Sequence, residues 1–294
     1  PQQDYERDYL VAVARGNLFW LDTADQPHTN PAFYLGSLSP SMYVTRPYAE
    51  PASRLRAYIT YLQAVPVAAQ QIRANLRTPL PLPFIDYGRS AFGGLADYYL
   101  GDGKAAFASV EDAALQTELN TASAAAAEAM RGLATWVTEQ TPNATQDFAL
   151  GPERFAQMLR DTEMVDIPLA DLEAIGRADL QRNQQALQQA CAQYAPRASI
   201  PECMRRLNER KPQGGAVAGA RAQLDGLRQF IVDHNIVSIP GEEQALVEEA
   251  PPFNRQNFAY IDIPGPYETN LPSVYYIAPP DPSWPAQVQR DFVP

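Results

Sequence analysis

The chain has 294 residues, of which 46% are hydrophobic and 19% are charged, a composition that predicts a soluble globular protein with a substantial core. Its formal net charge of -11 argues against a nucleic acid or an anionic membrane surface as partner, because binding phosphates requires clustered lysine and arginine side chains. The sequence has no such cluster, and no stretch approaches the roughly 20 consecutive apolar residues that a membrane-spanning helix needs.

The first segment of the chain predicts a helix followed by a loop. Apolar residues cover nearly all sides of the segment from Tyr9 to Leu21, which favours a largely buried helix. The following residues are rich in proline and predict a loop that contains His28 and has room for one short helix from Pro31 to Leu35.

Two longer helices are predicted next. Between Pro51 and Leu76 the apolar residues recur with helical spacing. Pro66 falls inside this pattern, and because an interior proline removes a backbone hydrogen bond and clashes with the preceding turn, it predicts a kink or a junction between two helices. A second apolar-rich run, from Ile85 to Leu100, contains Gly93 and Gly94, which indicate a bend or the close approach of another segment.

The strongest helical pattern of the chain runs from Glu111 to Gln140. Its leucines and alanines recur in alternating steps of four and three, and the small alanine side chains let a neighbouring helix come close. Four further helices are predicted after it, at Gly151–Glu163, Pro168–Tyr194, Glu202–Arg210 and Ala216–His234. We interpret His234 as a residue at a helix C-terminus, where the helix dipole favours a cation.

The two cysteines, Cys191 and Cys203, flank a segment with two prolines that is expected to turn one helix into the next. Neighbouring helix ends could therefore bring the two thiols together, and a disulfide closing a loop of this size would contribute about 3 kcal/mol. The alternative is a pair of buried free thiols in a cytosolic protein. Two cysteines without close cysteine or histidine neighbours do not supply the four ligands of a structural zinc site.

Beyond Asn235 the sequence changes character, with four short β-type runs: IVSIP, ALVEE, FAYIDI and SVYYI. Prolines lie among them, and because proline lacks a donor for strand pairing, these runs are expected to be edge strands or extended segments lying over the helices. The predicted fold class is mainly α, a multi-helix scaffold with a few short edge strands near the C-terminus. The predicted organisation is a helical scaffold over residues 1–236 and a proline-rich extended segment over residues 237–294, packed on the same domain.

Most catalytic motifs are missing from the sequence. It has no glycine-rich phosphate loop, no GxSxG nucleophile elbow and no CxxC, and neither His28 nor His234 has a second histidine four residues on. Asp262 would lie on a strand, pointing opposite to Ile261 and Ile263 and so toward a cleft or water. No residue of this chain is predicted to be catalytic or to bind a metal.

Four segments carry a resemblance to a known family: DYERDYLVAVARGNLFWLD, IPLADLEAIGRADL, IPGEEQALVEEAPPF and YIDIPGPYETNLPSVYYIAPPDPSW. In this order they span nearly the whole chain and resemble the bacterial proteins known as Domain of Unknown Function 885. That family is similar to the helical zincin peptidases, so the resemblance implies a zincin-like scaffold, a peptide substrate, and export to the periplasm or the cell exterior. It also implies zinc in the full-length protein, held by an HExxH helix whose glutamate activates a water molecule.

The HExxH helix is absent from this sequence. The resemblance places it shortly after the region that matches Ser283 to Val293, whereas the chain stops at Pro294. We therefore expect an incomplete domain that holds no cofactor, is inactive alone, and has the missing C-terminal catalytic half as its partner. Apolar surface left uncovered where that half docks would favour self-association.

The resemblance also implies where a substrate would bind, because zincins commonly place an edge strand beside the substrate, at the position of SVYYI. An extended peptide adding to such a strand would gain main-chain hydrogen bonds. The candidate substrate-binding residues are Ser273, Tyr275, Tyr276 and Asp262. Because side chains alternate along a strand, only one of the two tyrosines is expected to reach the cleft; the alternative is that both pack structurally.

Two functions therefore stay open. In the first, the chain is the helical, substrate-cleft portion of a zinc-dependent peptidase-like protein that hydrolyses peptide bonds. In the second, it is a non-catalytic helical binding or interaction module that contacts a partner through its tyrosine- and proline-rich C-terminal stretch. A reading frame that continues past Pro294 into an HExxH helix would favour the first function, and a stop codon there would favour the second.

Overall fold

The computed structural model describes residues 2–239, 241, 243–251, 255, 257–268, 271–281, 283–285 and 288–289. Over these residues the chain is mainly helical, with one three-stranded sheet near the C-terminus, which confirms the mainly α class. The chain divides into two compact units, residues 1–176 and 177–294. The division at residue 236 stays a prediction.

The first unit is built from helices joined by short turns. The helices are α1 (Gln2–Leu18), α2 (Gln26–Thr29), α3 (Ser41–Val44), α4 (Pro51–Asn75), α5 (Leu82–Leu100), α6 (Asp102–Ala105), α7 (Ala113–Thr138) and α8 (Gly151–Glu163). A π-helical turn at Phe19–Thr23 follows α1, and 3-10 turns lie at Pro31–Tyr34 and Thr141–Asn143. The short helix predicted at Pro31–Leu35 is confirmed as the first of these 3-10 turns.

The core of the first unit lies where α7 packs against both α4 and α5. Asp112 begins α7 as its N-cap, because its side chain accepts hydrogen bonds of 3.1 Å from the N–H groups of Ala114 and Leu115. Small and large side chains of α7 are buried in this core, namely Leu115, Leu119, Ala122, Ser123, Ala126, Ala127, Met130, Leu133 and Val137. The buried alanines let the neighbouring helices come close, as the sequence predicts.

The structure excludes one of the two alternatives predicted at Pro66 in α4, and one of the two predicted at Gly93 and Gly94 in α5. Helix α4 runs without interruption through Pro66, so the predicted junction between two helices is wrong. A Cβ atom added at Gly93 or Gly94 would meet nothing within 4 Å, so neither glycine marks a close approach. The close approach is at Gly88, where an added Cβ would lie 2.9 Å from the Cβ of Pro31.

The prediction that the first helix is largely buried is wrong. None of the residues of α1 is buried, and the side chains of Tyr9 and Leu10 are 59% and 65% exposed. Helix α1 packs against α8, and burial begins only at Phe19 in the π-helical turn, which is 1% exposed. The apolar pattern on several sides of α1 therefore reflects an apolar surface and not a buried helix.

A cluster of tyrosines lies in the core beside α4. Tyr61 donates a 2.6 Å hydrogen bond to the carbonyl oxygen of Leu38, and its hydroxyl lies 2.7 Å from that of Tyr99. The ring of Tyr58 stacks on Phe107, with 5.5 Å between the ring centroids, and its buried hydroxyl has no hydrogen-bond partner among the described residues. Burial raises the pKa of Tyr99 to about 12 and raises the pKa values of Tyr58 and Tyr61 as well.

The second unit contains most of α9 (Leu169–Tyr194), which begins in the first unit, and then α10 (Ile200–Asn208) and α11 (Gly215–Asp233). A disulfide joins Cys191 in α9 to Cys203 in α10, with 5.8 Å between their Cα atoms. The predicted disulfide is therefore confirmed, and the free-thiol alternative is wrong. His234 is the C-cap residue of α11, as predicted.

The sheet is formed by the short strands β1 (Leu246–Glu249), β2 (Ala259–Asp262) and β3 (Val274–Ile277). Their order is β1-β3-β2, with β1 parallel and β2 antiparallel to β3. Three of the four predicted β-type runs are thus strands, whereas the described residues 236–239 of the IVSIP run are not.

Candidate functional site

The sheet brings the four candidate substrate-binding residues together. Tyr275 and Tyr276 lie in β3, Ser273 directly precedes it, and Asp262 ends β2, where its Cα partner is Val274. The fold therefore places the four residues in or directly beside one sheet, a pairing of strands that the sequence did not predict. Their role in binding stays a prediction.

The two tyrosines lie on opposite faces of the sheet, since side chains alternate along a strand. Tyr276 is 9% exposed and belongs to a cluster with Ala250 and Ala278, and its ring stacks on that of Tyr260 with 5.0 Å between centroids. Tyr275 is half-buried, and its Cα partners across the sheet are Val247 in β1 and Ile261 in β2. Of the two tyrosines, Tyr275 thus has the more accessible side chain.

The sequence predicts that Asp262 faces a cleft or water and that Ile261 and Ile263 lie on the other side of the strand. The side chain of Asp262 is half-buried, whereas those of Ile261 and Ile263 are 49% and 62% exposed. The apolar side of β2 therefore faces outward. The alternation was predicted, but the assignment of the exposed side was reversed, because alternation alone does not say which face a sheet buries.

Strand β3 is the central strand, so the prediction that a peptide adds to its edge is wrong. Toward β1, the carbonyl of Ser273 accepts a 2.8 Å hydrogen bond from Leu246, and that of Ile277 accepts one of 2.9 Å from Ala250. Toward β2, the N–H of Ala278 donates a 2.8 Å hydrogen bond to the carbonyl of Phe258. Neighbouring chain segments thus occupy both edges of β3.

The outer edge of β1 is covered by α11. The Nε of Arg221 donates a 2.7 Å hydrogen bond to the carbonyl oxygen of Val247, and its Nη2 lies 3.0 Å from a carboxylate oxygen of Glu248. Helix α11 packs against β1 along this side. No described strand lies beside the outer edge of β2, so β2 is the strand at which the described sheet could be extended.

Register identifies which backbone groups of β2 face that outer edge. Phe258 and Ala278 are hydrogen-bonded partners, and in an antiparallel pair such partners alternate with pairs that are not hydrogen-bonded to each other. Ile261 and its partner Tyr275 form a pair of the second kind. The N–H and C=O groups of Ile261 therefore point away from β3, toward the outer edge.

A polar cluster that the sequence did not indicate lies in the first unit, around Asp25. Asp25 has left-handed backbone angles with φ 48°. Its carboxylate pairs with the imidazole Nδ1 of His28 and accepts a 2.8 Å hydrogen bond from Arg77, whose own N–H donates 2.8 Å to the carbonyl of His28. The hydrogen bond from His28, together with the charges of His28 and Arg77, holds the pKa of Asp25 below its usual value.

The spacing of Asp25 and His28, three residues apart in a proline-rich loop, was the available signal for this cluster. The sequence placed His28 in the loop but gave no reason to connect it with Arg77, which is distant in the chain and is brought near by the fold.

The part of the chain that the structure describes offers no zinc site. No group of three or more histidine, cysteine, aspartate or glutamate side chains that could hold a metal occurs among the described residues. Both cysteines are in the disulfide, and His28 and His234 lie in different units, His234 bonded through Nδ1 to the carbonyl of Phe230. Within the described part of the chain, no helix combines the length and apolar character needed to cross a membrane.

The fold and the site define a mainly helical protein with a small mixed sheet whose outer strand carries exposed apolar side chains. The chain matches the family of bacterial proteins of unknown function DUF885 over residues 4–292, and it belongs to that family. This confirms the family resemblance that the four sequence segments carried.

Among solved structures, the chain is similar to a candidate lipoprotein of unknown function from Shewanella oneidensis, with a TM-score of 0.58 and 18% sequence identity. The similarity covers 92% of this chain and 51% of that protein, so the chain spans about half the length of this relative. At this identity the similarity concerns the fold alone. No curated protein matches the chain.

Proposed function

We propose that this chain is the helical, substrate-cleft portion of a zinc-peptidase-like protein, in which an extended peptide binds along the outer edge of β2. The observation that carries the proposal is the direction of the Ile261 backbone groups, which face away from β3. A peptide strand placed there would form main-chain hydrogen bonds with the sheet and would continue it by one strand.

One face of the sheet supplies side chains next to such a peptide. Ser273 and Tyr275 alternate on the same face as Ile261 and Ile263, whereas Tyr276 and Asp262 lie on the opposite face. Ile261 and Ile263 are exposed, and Tyr275 is half-buried beside them. Of the predicted binding residues, we therefore assign substrate contact to Tyr275 and Ser273, and a structural role to Tyr276.

The peptidase part of the proposal rests on the resemblance to helical zincins. Because no group of side chains that could hold a metal occurs among the described residues, the proposal assigns the metal ligands to a C-terminal half beyond Pro294. The relative from Shewanella oneidensis, about twice as long as this chain, is consistent with such a half. Its description as a candidate lipoprotein and the Cys191–Cys203 disulfide of this chain support a location outside the cytoplasm.

The second candidate function is a non-catalytic module that binds a partner through the tyrosine- and proline-rich C-terminal stretch. It is favoured by Tyr267, which is 96% exposed, and by Phe258, which is 57% exposed. The reading frame of the gene past Pro294 separates the two functions. We expect it to continue into an HExxH segment, and a stop codon at that point would contradict the peptidase proposal.

Peptide binding at β2 predicts that Ile261→Pro lowers the affinity for extended peptides by roughly tenfold, because proline removes the N–H group that faces the edge. The change leaves the hydrogen bonds between β2 and β3 in place, since Ile261 does not contribute to them. The affinity is measured by fluorescence anisotropy. The probes are fluorescently labelled peptides obtained by digesting an unfolded protein.

The matched control is Ile261→Val, which keeps the N–H group and the β-branched side chain and should bind peptides as the unchanged protein does. N-methylation of alternate peptide amides is the complementary test, because it alters the peptide and leaves the protein intact. Equal affinity of Ile261→Pro and the unchanged protein, with N-methylated peptides binding as well as unmodified ones, would show that β2 is not the binding edge.

A further inference from the structure

The first unit contains a pocket with a volume of about 430 Å³ near the Asp25 cluster. Three aromatic side chains, Trp20, Phe84 and Phe148, contribute to its walls. Arg77 and Arg154 line it as cations, and Asp147 as an anion. A volume of this size lies in the range of roughly 300–1,000 Å³ that is usual for small-molecule sites.

Backbone hydrogen bonds hold two walls of this pocket together. The N–H of Leu82 donates 2.9 Å to the carbonyl of Thr145, and the N–H of Thr145 donates 3.1 Å to the carbonyl of Leu80. These bonds join the segment before α5 to the segment that carries Asp147 and Phe148. The pocket is therefore formed by tied segments and does not depend on a ligand to assemble it.

The charged side chains of the pocket differ in whether an opposite charge of the protein is paired with them. Arg77 is paired with Asp25, which in turn is paired with His28, so its charge is already compensated. Neither the guanidinium of Arg154 nor the carboxylate of Asp147 forms an ion pair or a side-chain hydrogen bond with any described residue. One uncompensated cation and one uncompensated anion thus lie beside three aromatic rings.

We propose that this pocket binds a small zwitterion with an aromatic side chain, of the size of a dipeptide. The ligand carboxylate pairs with Arg154, whose planar guanidinium matches a carboxylate with two parallel hydrogen bonds. The ligand ammonium group pairs with Asp147. The aromatic ring lies among Trp20, Phe84 and Phe148, where ring contacts add to the burial of apolar surface.

The charge balance disfavours two other classes of ligand. A nucleotide or a phosphorylated molecule would need several free cations, whereas Arg154 is the one uncompensated cation among the described residues of this pocket. A fully apolar molecule would form no ion pair with Arg154 or Asp147 and would gain only the contacts of the three aromatic rings. The proposal concerns the first unit and stands whether or not β2 binds peptides.

Calorimetric titration of the whole chain with L-alanyl-L-phenylalanine tests the proposal. We expect saturable binding at one site. The N-acetylated and the C-amidated forms of the same dipeptide each lack one charge and should bind roughly tenfold more weakly or worse, because a hydrogen-bonded ion pair is lost. L-alanyl-L-alanine keeps both charges but lacks the ring, and it should also bind more weakly.

Two variants assign the charges to residues. Arg154→Gln should weaken dipeptide binding roughly tenfold or more and should no longer distinguish the free acid from the amide. Asp147→Asn should weaken dipeptide binding to a similar degree. It should no longer distinguish the dipeptide with a free amine from the N-acetylated form. Arg160→Gln in α8 and Asp166→Asn after it are the matched controls, because both side chains are exposed and lie outside the pocket.

All four side chains are exposed, so these variants should keep the unfolding temperature of the unchanged protein, which thermal denaturation checks. Absence of saturable binding over the millimolar range would overturn the proposal. Arg154→Gln binding the dipeptide as tightly as the unchanged protein, or the amide binding as well as the free acid, would overturn it too.

Discussion

Replacement of Phe107 by alanine is expected to lower the free energy of unfolding of the first unit by about 3–5 kcal/mol. Phe107 is fully buried, and the centroid of its ring lies 5.5 Å from that of Tyr58 and 5.7 Å from the guanidinium carbon of Arg54. Alanine would remove the buried ring, leave a cavity, and deprive Arg54 of its aromatic partner. Urea denaturation followed by circular dichroism measures the loss.

Two other substitutions separate the effect of burial from that of ring removal. Phe155→Ala removes the same ring from a position that is 41% exposed, and it should cost far less. Tyr58→Phe removes only the hydroxyl that lacks a partner, so stability should stay the same or rise. Equal urea midpoints for Phe107→Ala and Phe155→Ala would contradict the buried position of the Phe107 ring in the core.

Removal of the disulfide by the double change Cys191→Ala and Cys203→Ala is expected to destabilise the second unit by about 3 kcal/mol, because the unfolded chain regains the freedom that the crosslink denies it. The two cysteines are 12 residues apart in sequence and join the end of α9 to α10. Both are nearly fully buried and pack with Ala195, so the crosslink also fixes a small apolar cluster. Thermal denaturation of the oxidised protein and the double variant measures the difference.

Reductant supplies the control for this experiment. Dithiothreitol should lower the unfolding temperature of the unchanged protein and leave that of the double variant unaffected. Titration with a thiol reagent should find no free thiol in the unfolded, unreduced protein. Two free thiols per chain in that titration would contradict the disulfide.

The sequence predicted those elements whose evidence lies within a single helix. The apolar spacing from Pro51 to Leu76 and from Glu111 to Gln140 matches α4 and α7 within a few residues. A helix with one buried face has apolar residues at helical spacing along its sequence, so the pattern can be read from the helix alone. The disulfide could also be predicted from the sequence, since a proline-containing turn between two helices limits how far Cys191 and Cys203 can separate.

Features that depend on distant neighbours were not predicted correctly. Tyr9 and Leu10 have the apolar pattern of buried residues, but burial depends on which other segment covers them, and α1 alone does not contain that information. The central position of β3 likewise depends on β1 and β2 joining it from two sides. Arg77 meets Asp25 only because the fold brings together segments that are far apart in the chain.

The arrangement of the sheet also affects the order in which the protein can assemble during translation. Strands β1 and β2 both pair with β3 and not with each other, and β3 follows both of them in the chain. Ribosomes add roughly 5–20 residues per second, and domains fold N-terminal first. The helices of residues 1–176 therefore have their complete core while β1 and β2 still wait for residues 274–277 to be synthesised. A nascent chain arrested just before Val274 would carry a folded first unit and two strands without a partner.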